Sequence, residues 1–99
     1  VAFCNEIYRF CCVKNVNYEN VRKVAVLDPR IGQSHSSVPG HDGKTGFGGT
    51  CFPKDMNSLL YEMESSNSPS FVIKAAVCRN QIVDRPEQDW KHDKGRATI

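Results

Sequence analysis

One thiol stands out in this chain of 99 residues: Cys51, within Gly46-Phe47-Gly48-Gly49-Thr50-Cys51-Phe52-Pro53-Lys54-Asp55. A glycine-rich run precedes it, and a lysine and a carboxylate follow. Pro53 suits a first helical turn, where its missing N–H costs nothing. Met56, Leu59, Leu60 and Met63 then recur at the i, i+3, i+4, i+7 spacing of one buried helical stripe. Cys51 is therefore expected at the N-terminal end of a helix, where unpaired N–H groups and the helix dipole favour a thiolate. Lys54 adds to that effect, and the pattern reads as a nucleophile. Taken singly, a cysteine is more often a small buried hydrophobe, and a glycine-rich loop is weak evidence for a ligand.

The helices that must hold this thiol can be placed from caps and stops. The first covers residues 1 to about 14, with Phe3, Ile7, Phe10 and Cys11 on one face. Asn17 caps a second, about Tyr18 to Leu27, although its valines would also suit a short strand. Asp28-Pro29 ends it, because the residue before proline is pushed out of helical geometry. Residues 28 to 52 are broken by glycines and read as a long loop, with disorder admitted for Gln33 to Gly43. The third helix runs from about Pro53 to Glu64. Ser68 as cap and Pro69 at the first position open a fourth, with Phe71, Ala75, Cys78 and Ile82 on one face, ending at Asp84-Arg85-Pro86. The expected fold is all-α: about four helices around one long glycine-rich active-site loop.

Composition narrows the function. With 39% hydrophobic and 24% charged residues the chain is a globular one, not a disordered one. A net charge of +2, spread along the chain, does not argue for nucleic acid. No apolar run approaches the roughly 20 residues of a membrane span, and no signal peptide is visible. The five cysteines have no framework spacing and form no CxxC pair, and the three histidines do not fall at ligand spacings beside them. No metal is expected, and reduced thiols in the cytoplasm are the simplest account. The chain starts in mid-helical period and stops at Ile99 in a strand-like run-in, so it reads as an excised fragment.

The Cys51 run resembles the active-site signature of the UDP-glucose 6-dehydrogenases, within the wider UDP-glucose/GDP-mannose dehydrogenase family. Phe3-Cys4-Asn5-Glu6, Asp28-Pro29-Arg30-Ile31-Gly32 and Asn80-Gln81-Ile82-Val83-Asp84-Arg85-Pro86 agree in the family's order. The resemblance implies that residues 1–86 form the central helical dimerisation domain, like the C-terminal domain of 6-phosphogluconate dehydrogenase. Residues 87–99 would be a linker toward a UDP-binding domain, with Trp90 packed against a neighbour. The NAD-binding domain would precede Val1. The implied parent enzyme oxidises UDP-glucose to UDP-glucuronate with two NAD, and the isolated chain is expected to be inactive.

Residue by residue, the resemblance makes Cys51 the nucleophile that forms a thiohemiacetal and then a thioester. Asp55, one helical turn on, would orient or deprotonate the hydrolytic water; its alternative is a carboxylate favouring the helix dipole. Phe47 and Gly48 match loop positions that hold substrate, though Phe47 equally suits a core anchor. Arg30 matches an arginine that reaches the partner subunit's substrate in a homodimer, and otherwise bonds near the helix stop. Lys54 matches a residue near the cofactor, and otherwise is surface charge. The family's upstream lysine and asparagine would precede Val1. The stretch Gln33 to Asp42 is longer than in many members, and Lys44 is a candidate to approach substrate. Phe52 and the Asp28–Gly32 stretch lean toward UDP-glucose. Alternatives are a GDP-mannose or UDP-N-acetylmannosamine dehydrogenase, or a non-catalytic helical dimerisation module; a thiol enzyme using Cys51 alone lacks a recognisable histidine.

Overall fold

The computed structural model describes residues 1–91. Among the described residues there are four α-helices and no strand, so the fold is all-α. The chain divides into two compact units, Val1–Gly46 and Phe47–Ile99.

In the first unit, α1 spans Ala2–Val13 and α2 spans Tyr18–Ala25. Asn15 closes α1 because asparagine tolerates the left-handed backbone it adopts there, at φ 57°. Its N–H bonds to Cys12 O, and Val16 N–H reaches back to Cys11 O at 2.8 Å, which satisfies carbonyls the helix would otherwise leave open. The chain then turns at once into α2, where Asn17 Oδ1 accepts from Asn20 N at 3.1 Å as the expected cap. The helix, and not the alternative strand, forms over the valines. It stops at Ala25, two residues short of Leu27, because Leu27 and Asp28 bond to Val24 and Ala25 in a tighter i→i+3 pattern.

Tyr8 and Tyr18 meet edge to face, with centroids 5.8 Å apart, and Tyr18 and Cys11 are the buried hydrophobic residues of this unit. The loop after α2 is tethered at Ser36, whose carbonyl accepts from Tyr18 Oη at 2.6 Å. The Ser36 hydroxyl donates to Gln33 O at 2.6 Å and accepts from Arg22 Nη1 at 3.2 Å. The segment where disorder was admissible is thus folded back onto α2. Burial and a bond with Cys4 push the Tyr18 phenol well above its ordinary value, so it stays a donor to Ser36.

In the second unit, α3 spans Phe52–Ser65 and α4 spans Phe71–Arg79. Asn67, left-handed at φ 55°, closes α3 as Asn15 closes α1, with Ser68 N–H bonded to Met63 O at 2.9 Å. This corrects the expected start of α4. The backbone is still closing α3 at Ser68, and α4 begins only at Phe71, with Ser70 at its N-cap.

The face of α4 differs as well. Phe71, Ala75, Cys78 and Ile82 share one side as expected, but that side is exposed, Phe71 by 85% and Ile82 by 72%. Val77 and Asn80 are buried instead, with Ile73 and Ala76 half-covered. Apolar residues lie all around this helix, so periodicity alone cannot select its inner side. In α1, likewise, Phe3 and Phe10 are exposed while Cys11 is buried.

Beyond Arg79 the helix widens into a π-turn over Asn80–Asp84, and a 3-10 turn follows at Asp89–Lys91. Within the wide turn Asp84, with a side chain only 1% exposed, forms an ion pair with Arg79, Nε to Oδ2 at 2.9 Å, and its Oδ1 accepts from Arg79 Nη2 at 3.4 Å. A buried carboxylate needs such a partner. Trp90 is half-buried in the stretch read as a linker.

Candidate active site

Cys51 occupies the N-cap of α3. Its carbonyl accepts the first helical bond, from Asp55 N at 2.8 Å, while its side chain makes no capping bond and is exposed. Thr50 Oγ1 lies 3.9 Å from its Sγ. Pro53 sits buried in the first turn, as its fixed φ and missing N–H favour. The helix therefore starts one residue before the expected Pro53, and the thiol stands just outside it, at the positive end of a helix of 14 residues.

Lys54 and Asp55 lie in the same first turn. Lys54 Nζ is 3.6 Å from Asp55 Oδ1, both side chains more than half exposed. A pair so open to water adds little to stability, so neither group is committed to holding the fold. Cys51, Lys54 and Asp55 are thus presented together on one solvent-facing turn.

The loop leading to the thiol is anchored at Phe47. Its ring is buried and packs against Phe52, centroids 5.0 Å apart, as the anchor reading allows. Its backbone is held on both sides by one amide. Phe47 N donates to Asn80 Oδ1 at 2.8 Å, and Asn80 Nδ2 donates to Phe47 O at 2.8 Å. Gly48 follows, and a Cβ there would overlap the Arg85 guanidinium, with Asp89 Oδ1 at 3.2 Å. Only glycine lets the backbone pass so close. Gly49 then takes a left-handed φ of 86°, turning the chain toward Cys51.

Arg85 is 1% exposed, and its Nη1 lies 3.6 Å from Asp89 Oδ1. Its N–H bonds to Asn80 O at 2.8 Å, the i→i+5 bond that makes the turn wide. Sequence reasoning places Asn80 and Arg85 within a family-matched stretch and assigns neither a role. No local signal marks them, because the apolar pattern of α4 does not tell its buried side from its exposed one.

In the first unit, Arg30 lies on the turn after α2, with a side chain 88% exposed. It forks onto Asp28, Nε to Oδ1 at 3.0 Å and Nη2 to Oδ2 at 2.7 Å, and its own N–H adds a third bond to Oδ1. These bonds hold the Asp28 carboxyl below its ordinary range. They are the local contacts expected at a helix stop, made to a side chain instead of to carbonyls. Asn5, buried in α1, was also overlooked: its Oδ1 accepts from Gly46 N at 2.9 Å and its Nδ2 donates to Val1 O at 2.9 Å. Lys44 stands on the surface of the same unit.

The chain is 35% identical over 80 residues to the UDP-glucose 6-dehydrogenase of Pseudomonas aeruginosa, covering 81% of this chain and 17% of that protein. It is 35% identical over 81 residues to that of Rickettsia felis, covering 82% and 17%. To the UDP-glucose 6-dehydrogenase TuaD of Bacillus subtilis it is 32% identical over 102 residues, covering 98% and 21%. The chain thus spans about a sixth to a fifth of the length of these relatives. No solved structure matches it. The central-domain profile of the UDP-glucose/GDP-mannose dehydrogenases matches residues 1–82, and the chain belongs to that family.

Proposed function

We propose that the protein carrying this chain is a UDP-glucose 6-dehydrogenase, which oxidises carbon 6 of UDP-glucose twice to give UDP-glucuronate. The observation that carries this reading is the exposed thiol of Cys51 at the N-cap of α3, inside the family-matched stretch. The names of the relatives support the choice of sugar nucleotide.

The second oxidation needs a nucleophile. An aldehyde has no carbon–hydrogen bond that it can give up to become an acid until something adds to the carbonyl. Cys51 as thiolate attacks the aldehyde carbon, and the oxygen takes a proton to give a thiohemiacetal. Loss of hydride from that carbon, together with the hydroxyl proton to water, leaves a thioester on Sγ. Water then attacks the thioester, releasing the acid and restoring the thiol. Asp55, in the next turn of the same helix end, orients or deprotonates that water. Phe47 and Gly48 stand at loop positions suited to holding the sugar nucleotide, and the two bonds to Asn80 fix that loop at Phe47. Arg30, on its exposed turn, is suited to reach a second subunit's substrate in a homodimer.

NAD, when bound, supplies the hydride acceptor for both oxidations. A dinucleotide site of the strand–glycine turn–helix kind requires a strand, and residues 1–91 contain none, so they do not by themselves build one. Lys54 fits as a contributor, being an exposed cation beside the thiol and suited to an anionic cofactor. No helix among the described residues is long and apolar enough to cross a membrane. A cytoplasmic location fits the five unpaired thiols.

The test is the whole protein with UDP-glucose and NAD, followed at the NADH absorbance. Two NADH per UDP-glucuronate are expected, and Cys51→Ser should abolish acid formation. UDP-glucuronate formation that survives Cys51→Ser would overturn the covalent route. Turnover of GDP-mannose in its place would overturn the substrate.

A further inference from the structure

We propose that Asn80 is a positioning residue for the reaction, holding the loop that carries Cys51 without touching substrate; this rests on the functional reading above. Between Phe47 and the thiol lie Gly48, Gly49 and Thr50. Two adjacent glycines leave the backbone many conformations, so the place of the thiol depends on what fixes each end of the run. The far end is fixed by Pro53, buried in the first turn of α3. The near end is Phe47, and both polar groups of its backbone go to the one carboxamide of Asn80, at 2.8 Å each.

The residue type matters here. A carboxamide donates and accepts at once, so it completes a peptide as another peptide would. Aspartate loses the donor and leucine loses both. Asn80 is 1% exposed, so water does not compete for these bonds. The same residue organises the next position too. Its carbonyl takes Arg85 N–H at 2.8 Å, and the Arg85 guanidinium packs against Gly48. The π-turn thus lets one residue hold Phe47 with its side chain and set, with its backbone, the residue that backs Gly48.

The experiment compares wild type, Asn80→Leu and Asn80→Asp in the whole protein. Hydrogen exchange at the Phe47 amide is expected to speed up about tenfold or more in Asn80→Leu, with less change within α3. In folded protein kcat should fall by about tenfold or more and KM for UDP-glucose should rise, as misplacement of reacting groups produces. A merely structural loss would instead lower the maximal rate in step with the folded fraction and leave KM alone, and that result would overturn the proposal. Asn80→Asp keeps the size and the acceptor, so it should lie between the other two and serves if Asn80→Leu does not fold. Unchanged exchange at Phe47 in folded Asn80→Leu overturns the proposal, as do unchanged kcat and KM in either folded variant, since Asn80→Asp still loses the donor to Phe47 O. Exchange is read without turnover, so a wild type that produces no NADH overturns the functional reading and the catalytic consequence, while the exchange arm still decides whether Asn80 holds the loop.

Discussion

The hydroxyl of Tyr18 donates to the carbonyl of Ser36 at 2.6 Å, joining the first residue of α2 to the middle of the loop that follows it. Both residues are buried. Removing the donor leaves a covered carbonyl without this bond, so Tyr18→Phe should destabilise the chain by about 1–2 kcal/mol. Urea unfolding measures the loss. Amides of residues 33–43 should exchange faster in the variant, and unchanged exchange there would show that the bond does not hold the loop.

Gly48→Ala should cost about 1–3 kcal/mol, because the added methyl meets a guanidinium that is too enclosed to swing away. The clash can be assigned by a double-mutant cycle. With Arg85→Ala already in place the penalty of Gly48→Ala should shrink, giving non-additive changes. Additive penalties would mean that the methyl meets something other than Arg85.

The fold was readable wherever one residue settles a local matter. Asn17 caps α2, Asp28-Pro29 terminates its turn, and Pro53 marks the start of α3, each through a nearby backbone group. The thiol's place at a helix end followed from the same local signals. What could not be read depends on distant partners. Ser36 and Tyr18 are 18 residues apart, and Asn80 and Phe47 are 33 apart. The inner face of α4 was misjudged because Phe71 and Ile82 are as apolar as Val77, and it is the amide of Asn80 that breaks the tie. Ser68 was misassigned because a cap and a helix ending both suit a serine in that sequence.

Arg22 forks onto Glu19, Nε to Oε2 at 2.9 Å and Nη2 to Oε1 at 2.6 Å, and holds the Glu19 carboxyl below its ordinary range. A carboxyl whose folded value is depressed contributes stability that is fully present above its unfolded value and fades as pH falls through the folded one. The fading therefore belongs to the acid side of the normal carboxylate range. In Arg22→Gln the Glu19 titration, followed by NMR, should move upward to ordinary behaviour. A midpoint that does not move would remove Arg22 as the cause.

The neighbours Cys11 and Cys12 differ sharply in access, the first buried and the second exposed along with Cys51 and Cys78. Brief treatment of the folded chain with a thiol alkylating reagent should therefore modify Cys12, Cys51 and Cys78 well before Cys11. Peptide mass mapping reads the order. Equal labelling of Cys11 and Cys12 would contradict the burial of α1 on that side.

The wide turn over Asn80–Asp84 holds five residues where an ordinary helix would use about four. The surplus residue is what lets the Arg85 N–H reach the Asn80 carbonyl as an i→i+5 bond. A single-codon deletion inside the turn is therefore taken up by a return to ordinary winding, with the same two groups still bonded. An insertion has no such slack to draw on and should rotate Arg85 away from Gly48, unseating the loop while every named side chain is still present.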